Sequence, residues 1–350
     1  MGFPKVSILW LNYNSMNIIG IVKESLKAVA DLDYDNYELV VVDNGSTDHS
    51  NMVIKDFLDR IRNRIPRVKL IQLRRNLGFA AGCNIAFQLI DPGSKYVVLL
   101  NNDAIPLNYS LRVLIDEMEA DEKVGSVQGI ILNYENGLVD SAGGLVDELL
   151  RVYLYMRNAH PRMIRDKAYI TYADGAFSVH RVSAVLTINH QRILFPGELF
   201  AYYDDVLLGL QMWRHGFKVM MIPVITARHK RGATFSRYNA RQLYLNTRNH
   251  AALMQVSNSR YKKMLLPYIL RAALPVIARN KDSSKVLTKA IIKAIADSTK
   301  LATSLKRRGI YLDIYRAPII YLGLKDLAKT IILRRLAKTT HDHLHISQPI

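Results

Sequence analysis

Apolar runs alternate with amphipathic stretches along the first two thirds of the chain. Four short runs read as buried strands, namely KVSILWL (5–11), YELVVVD (37–43), VKLIQL (68–73) and YVVLLN (96–101). Helical patterns follow them, to about residue 30 and over about 48–63, 79–90 and 107–121. Further strands are predicted at 124–132 and 219–225. This order predicts an α/β fold with a mostly parallel, Rossmann-like sheet and helices on both faces.

Polar clusters stand where three of the predicted strands end. They are LNYN (11–14), DNGSTD (43–48) and Asn101-Asn102-Asp103. Because parallel strands present their carboxyl ends along one edge, these clusters are expected to meet in one crevice, which is where such sheets bind ligands. A carboxylate there, Asp103, suits a hard divalent cation, Mg²⁺ or Mn²⁺, which in turn holds phosphates.

Asp43 directly follows three valines, so a place inside the core would leave its charge unpaired. At the strand end it can accept hydrogen bonds from a base or a ribose. The alternative is that DNGSTD only forms a turn and caps the next helix, and Asp48 fits that role better than a ligand role.

The glycine pattern of the chain excludes two common kinds of nucleotide-binding site. NLGFAAGCN (76–84) contains Gly78 and Gly82, which permit close backbone approach. The dinucleotide pattern G-x-G-x-x-G and the P-loop pattern are both absent.

A second group of reactive side chains lies at ADGAFSVHR (173–181) and FAYYDDVLL (200–208). Asp204 and Asp205 precede a helical run, where acids also complement the helix dipole. One of them can instead serve as a general base toward an acceptor hydroxyl. Trp213 could stack on a sugar face or simply pack in the core.

These six segments together resemble the inverting family 2 glycosyltransferases of GT-A fold. The resemblance covers about residues 5–255 and is strongest to rhamnosyltransferase-like enzymes that elongate polysaccharides and lipid-linked glycans. VSILWLNYN and VVVDNGSTD are similar to the first two strands of the family, NLGFAAGCN to its N-x-G-F-A-x-G-x-N element, and LLNNDA to a variant of its D-x-D motif. ADGAFSVHR resembles its acceptor loop and YYDDVLLGLQMWRHGFKV its Y-x-E-D element.

The resemblance implies a nucleotide-diphosphate sugar donor and a role for each matching residue. Asp205 would be the catalytic base, and Asp103 would bind Mg²⁺ or Mn²⁺, with His229 as a further metal or diphosphate ligand. The donor pocket would be lined by Asn12, Tyr13, Asp43, Asn76, Gly78, Asn101, Asn102, Asp103 and Arg248. The acceptor side would include Asp174, Gly175, Asp204 and Trp213.

Three positions depart from the family pattern in the element around the base. Asp204 stands where the glutamate of the E-D pair falls, Leu207 where the next acid falls, and Gln211 where the arginine falls. The proposed base is retained, so the departures concern how the acceptor site is built.

Charge divides the chain near residue 236. Residues 237–350 carry 22 Lys and Arg against 5 Asp and Glu, a net charge of +17, whereas residues 1–236 carry 26 against 25. We therefore expect a glycosyltransferase domain at 1–236 and a basic helical extension at 237–350. In the extension, Lys285, Lys289, Lys293 and Lys300 share one helix face, with Leu287, Ile291, Ile295, Leu301 and Leu305 broadly opposite.

This pattern is typical of a helix lying in a membrane interface, and the segment 317–338 is similar. The alternative is that these helices pack on the catalytic body and only solvate their lysines. HDHLH (341–345) could bind metal but is expected to be a tail.

The partners and location follow from these expectations. The acceptor is expected to be a glycan or a polyprenyl- or dolichyl-linked sugar, and the protein to sit peripherally on an anionic membrane, at the cytoplasmic face. The single cysteine, Cys83, and a first segment unlike a secretory signal agree with that compartment. The alternatives are a nucleic-acid-binding protein that uses the basic tail, which lacks a recognised nucleic-acid motif, and a nucleotidyltransferase on a related core.

Overall fold

The computed structural model describes residues 2–189, 192–231, 240–279 and 284–323, apart from the side chains of 273–279. Nine α-helices lie in these residues: α1 Ile19–Ala30, α2 Ser50–Ile61, α3 Phe79–Gln88, α4 Ser110–Ala120, α5 Val182–Ile188, α6 Asp204–Arg214, α7 Ala240–Val256, α8 Leu265–Arg279 and α9 Ser284–Arg307. None of these helices is both long and apolar enough to cross a membrane.

The same residues contain thirteen strands: β1 Val6–Asn12, β2 Tyr37–Asp43, β3 Val68–Gln72, β4 Tyr96–Asn101, β5 Ala104–Pro106, β6 Val124–Asn133, β7 Val139–Ser141, β8 Gly144–Asp147, β9 Val152–Leu154, β10 Ala168–Tyr169, β11 Phe177–Arg181, β12 Lys218–His229 and β13 Ile319–Ile320. Each strand and helix predicted in the first 132 residues is present within a few residues of its expected bounds. The 133–172 region, which shows no clear pattern in the sequence, contains four short strands.

The large sheet has the order β10-β12-β6-β11-β4-β1-β2-β3, with β5 beside β12 and β7 beside β6. Strands β4, β1, β2 and β3 are parallel, whereas β11 runs antiparallel between β4 and β6. Both faces are covered, because Ile8 and Trp10 on one face of β1 and Leu9 on the other are all at most 1% exposed. The predicted mostly parallel α/β fold is confirmed.

The chain divides into two compact units. The first comprises residues 1–144 and 154–236, and the second comprises 145–153 and 237–350. The segment 145–153, which the sequence placed in the first domain, therefore belongs with the C-terminal region. It contributes strands to a three-stranded sheet of order β13-β8-β9.

Within the second unit, the apolar stripe of α9 is not available to lipid. Leu287, Ile291, Leu301 and Leu305 are at most 6% exposed, and α9 packs along α7. The expectation that this stripe lies in a membrane interface is therefore wrong, because helical periodicity is the same whether the apolar face meets lipid or protein.

The similar prediction for 317–338 fails where it can be examined. Residues 319 and 320 form a strand instead of a helix. The rest of that segment, from residue 324, and HDHLH (341–345) lie outside the described residues.

Candidate active site

The carboxyl ends of β1, β2 and β4 lie side by side, as their parallel pairing requires. Asn12 is in register with Asp43, and Leu11 with Asn101. Strand pairing thus brings together three polar clusters that lie far apart in the sequence. This edge of the sheet is where open α/β folds place a ligand.

Asn12 joins the three strand ends through its side chain. Its Nδ2 donates to Asp43 Oδ1 at 2.9 Å, and its Oδ1 accepts from Asn102 Nδ2 at 3.1 Å. Asp43 also accepts from the Ser46 hydroxyl at 2.6 Å and the Ser46 backbone N–H at 3.0 Å. Asn12 and Asp43 are 1% and 3% exposed. They brace the strand ends, and a contact between Asp43 and a nucleobase stays a prediction.

The next turn contains Asn44, which sequence reasoning missed although it follows Asp43 directly. Its Oδ1 accepts from the Leu77 backbone N–H at 3.0 Å, and its Nδ2 donates to Asn76 Oδ1 at 3.2 Å and to the Gly78 carbonyl at 3.0 Å. Asn44 thereby fixes the loop before α3 against the end of β2. Gly78 is required there, because its φ is +89° and a Cβ would lie 2.5 Å from the Phe200 carbonyl oxygen.

A network of paired, charged side chains extends from Asp103. His229, at the end of β12, meets Asp103 Oδ1 through Nε2 at 3.1 Å and Asp140 Oδ2 through Nδ1 at 3.0 Å. Arg231 Nε donates to Asp140 at 2.8 Å, and its terminal NH2 donates to Asp174 Oδ2 at 2.6 Å. Four of the five side chains are at most 10% exposed, and only that of Arg231 reaches 31%. This network links the end of β4 to the loop before β11.

Pairing between these side chains determines which of them are charged. Burial opposes charge on His229, but its hydrogen bonds to Asp103 and Asp140 outweigh burial and raise the pKa to about 9. Burial likewise acts to raise the pKa values of Asp140 and Asp174, yet both are lowered by the positive charges of His229 and Arg231. At neutral pH His229, Asp140 and Asp174 are therefore ionised and paired.

Asp103 and His229 together offer one carboxylate and one imidazole to a metal ion. Among the described residues no group of three or more His, Cys, Asp or Glu side chains is arranged to hold a metal. The pair therefore fits Mg²⁺ or Mn²⁺ as two ligands of an incomplete site, whose other ligands must be oxygens of a bound substrate or water. Binding through His229 also requires its imidazole to lose a proton.

Asp204 and Asp205 begin α6 beside this network. The preceding loop is strained, since Phe200, Tyr202 and Tyr203 have φ values of 65°, 73° and 65°. Burial and then the nearby Asp174 charge raise the pKa of Asp204 to about 6. Burial, Asp204 and Asp174, in that order, raise the pKa of Asp205 well above the usual value for a carboxyl. A half-buried carboxylate with a raised pKa is a suitable proton acceptor.

The family model for glycosyl transferase family 2 matches residues 7–186, just over half of the chain. The chain belongs to this family. The match covers the strand ends at Asn12, Asp43 and Asp103, the loop before β11 at Asp174, and the Asp140 that sequence reasoning missed.

Individual proteins agree with the family assignment. A Haemophilus influenzae protein named "Uncharacterized glycosyltransferase" is 28% identical over 141 residues, which cover 39% of this chain and 41% of that protein. This chain thus spans less than half the length of the curated relatives it matches.

Two solved structures share the GT-A fold of this family 2 chain. A mannosyltransferase from Pyrobaculum calidifontis in complex with GDP-Man and Mn²⁺ has a TM-score of 0.53 at 18% identity, covering 88% of this chain and 81% of that one. GalNAc-T7 with UDP, GalNAc and Mn²⁺ has a TM-score of 0.58 at 12% identity, covering 88% and 55%.

The remaining predicted residues have different outcomes. Tyr13, Asn101 and Gly175 are half-buried at or beside the strand ends. Arg248 lies on α7 in the second unit, where it donates to Asn249 Oδ1 at 2.9 Å, and its contact with a diphosphate stays a prediction.

Trp213 does not have the predicted acceptor-side position. It lies nine residues beyond Asp204 on α6, roughly 13 Å along the helix axis. It is 7% exposed, its indole N–H donates to the Ile170 carbonyl at 2.9 Å, and its ring packs edge-on against Tyr169. The sequence assignment is wrong, because this tryptophan is part of the core.

Sequence reasoning also missed Asp140 and Arg231. Asp140 lies in the patternless 133–172 region, so no motif marks it. Arg231 was visible only as one of several basic residues after β12. Their roles depend on pairing with residues far away in the sequence. Asp140 pairs with His229 and Arg231, 89 and 91 residues away, and Arg231 also pairs with Asp174, 57 residues away.

Proposed function

We propose that this protein transfers a sugar from a nucleotide-diphosphate sugar to a hydroxyl group of a glycan or a polyprenyl- or dolichyl-linked acceptor, with inversion at the anomeric carbon. The observation that carries the proposal is the network of paired side chains that runs from Asp103 through His229, Asp140 and Arg231 to Asp174. It connects a carboxylate suited to a metal–diphosphate group with the surroundings of two carboxyls of raised pKa.

Donor binding is assigned to the edge formed by β1, β2 and β4. Asn12 and Tyr13 form one wall, Asp43 faces the base, and Asn76 with Gly78 borders the base and ribose. Asn102 and Asp103 hold the diphosphate end. Two proteins of the same fold, the Pyrobaculum mannosyltransferase and GalNAc-T7, are described with nucleotides or nucleotide sugars and Mn²⁺, which supports this assignment.

Asp103 and His229 would hold Mg²⁺ or Mn²⁺ against the donor. When bound, the ion supplies Lewis-acid stabilisation of the departing diphosphate. Asp140 accepts a hydrogen bond at His229 Nδ1 and thereby orients the imidazole so that Nε2 faces Asp103.

Asp205 removes the proton of the acceptor hydroxyl. The acceptor oxygen forms a bond to the anomeric carbon while the bond from that carbon to the diphosphate oxygen breaks. The proton passes to Asp205 and the electron pair leaves with the nucleoside diphosphate. One displacement of this kind inverts the anomeric centre. The raised pKa of Asp205 makes it a stronger base than an ordinary carboxylate.

A paired experiment separates the two halves of the proposal. Purified protein is screened against nucleotide sugars with Mn²⁺, with donor hydrolysis and transfer as readouts and calorimetry for donor binding. Asp205→Asn is expected to lower turnover by about 10² to 10⁴-fold with donor affinity unchanged. Asp103→Ala is expected to remove the Mn²⁺-dependent part of donor binding.

The contrary results are specific. Normal turnover by Asp205→Asn would refute the base, and equal donor affinity of Asp103→Ala with and without Mn²⁺ would refute the metal site. The exposed Asp59→Asn on α2 serves as the control for loss of one carboxylate.

A further inference from the structure

The outward face of α9 carries lysines and two exposed aliphatic side chains. Lys285, Lys289, Lys293 and Lys300 are exposed, and so are Val286 and Ile292, at 58% and 63%. These six residues, the α9 lysine face, are spaced three, four or seven apart, so they lie along one side of the helix. The buried stripe of Leu287, Ile291, Leu301 and Leu305 is on the other side.

The charged residues of this helix are mostly positive. α9 has six basic residues and a single acid, Asp297. Asp297 lies 2.7 Å from Lys293 and 3.8 Å from Lys300, and it also accepts from the Tyr244 hydroxyl on α7. Exposed pairs of this kind contribute little free energy, so the face keeps most of its positive charge.

Aliphatic groups beside the lysines distinguish two classes of anionic partner. Val286 and Ile292 border the lysine row, and no aromatic side chain belongs to α9. Nucleic-acid surfaces of single-strand binders use aromatic side chains for base stacking. A lipid bilayer offers anionic headgroups for the lysines and, just below them, an apolar layer for short aliphatic groups.

The N-terminal part of α8 repeats this composition. Leu266 and Leu270 are 49% and 52% exposed, and Lys262 and Lys263, also exposed, lie in the turn that leads into the helix. Within the second unit, exposed aliphatic side chains thus occur on two successive helices, with lysines on α9 and in the turn before α8.

We propose that the α9 lysine face docks the protein on an anionic lipid surface. The helix keeps its apolar stripe in the protein core, so binding is peripheral and electrostatic with a shallow aliphatic contribution. This inference does not depend on the proposed sugar transfer, because it concerns the second unit and is tested by binding alone.

Cosedimentation with sucrose-loaded vesicles tests the proposal on the full chain. The protein is expected to bind phosphatidylcholine vesicles that contain phosphatidylglycerol, to bind pure phosphatidylcholine vesicles far more weakly, and to dissociate as salt rises. The double variant Lys285→Gln/Lys289→Gln is expected to bind roughly fivefold more weakly for each lysine lost, about twenty-five-fold in all.

Matched variants separate this face from overall charge. Lys55→Gln/Arg60→Gln removes two exposed positive charges from α2 and is expected to leave vesicle binding nearly unchanged. Val286→Ser/Ile292→Ser is expected to weaken binding, whereas Met52→Ser/Met163→Ser, which also removes two exposed apolar side chains, is not. Circular dichroism checks that each variant is folded.

Two results would overturn the proposal. Equal losses in the α9 and α2 charge variants would mean that net charge, not this face, attracts the vesicles. Tight binding to duplex DNA together with no vesicle binding would assign the basic surface to nucleic acid.

Discussion

Asp204 and Asp205 are chemically identical neighbours whose surroundings change their acidity. Both carboxyls have raised pKa values, mainly from burial, and for Asp205 the charge of Asp204 is the next cause. A group of this kind is a base only above its pKa, so the pH at which transfer begins depends on its neighbours.

The first prediction concerns the acidic limb of the pH profile. Asp204→Asn removes a like charge beside Asp205 and lowers the pKa of the base. We therefore expect the acidic limb of kcat/KM to move to lower pH by about one unit. The measurement is the initial rate of transfer against pH. A limb that stays in place or moves to higher pH contradicts the assignment, and the exposed Asp59→Asn is the control.

At the scale of elements, Arg181 shows how the sheet is tied to a helix away from the site. It ends β11, which runs antiparallel to β4, and it pairs with Tyr96 at the opposite end of β4 from Asn101. Its guanidinium donates to the carbonyls of Met118, Val124 and Asp121 and to the Tyr96 hydroxyl. It thus satisfies carbonyls at the C-terminal end of α4 that lack helical partners.

A second prediction follows for stability. Arg181→Met leaves these buried carbonyls without their donor, and we expect the free energy of unfolding to fall by about 3 kcal/mol. Urea denaturation measures the loss. Arg181→Lys, which has fewer donors, should fall between the two. Donor affinity should not change, since the residue lies at the far end of the strands, and a change in affinity without a loss of stability would be the contrary result.

At the scale of the molecule, the segment 145–153 lies between two parts of the first unit in the sequence but packs as part of the second unit. It leaves the first unit after residue 144 and returns at 154, and its carboxylates are paired within the second unit. Glu148, fully buried, accepts from Arg260, Tyr315 and the Leu322 backbone N–H. A chain that ends at 236 would retain Glu148 without these partners.

The third prediction is therefore that the first domain does not tolerate simple truncation. A chain of residues 1–236 is expected to express poorly or melt well below the full chain, because an uncompensated buried carboxylate is strongly destabilising. Replacing 145–153 with a short Gly-Ser linker in the truncated chain should restore solubility and raise Tm. Equal Tm values with and without that replacement would contradict this explanation.

The sequence alone determined most of the first sheet and its ligand-binding edge. Buried parallel strands need continuous apolar runs, and polar residues are tolerated only where these runs end. YVVLLNNDA, VVVDNGSTD and VSILWLNYN therefore indicate both the strands and the edge at which Asn12, Asp43 and Asp103 meet. The family resemblance rests on the same local patterns.

Only the tertiary structure decided which side chains complete the site and where apolar helix faces go. Asp140 and Arg231 acquire their roles through partners far away in the chain, and neither lies in a local pattern that marks it. Trp213 is a residue type that stacks on sugars, and the stripe of α9 has the periodicity of an interfacial helix, yet both are buried. A local pattern shows that a side chain must avoid water, but the three-dimensional packing determines whether protein, sugar or lipid covers it.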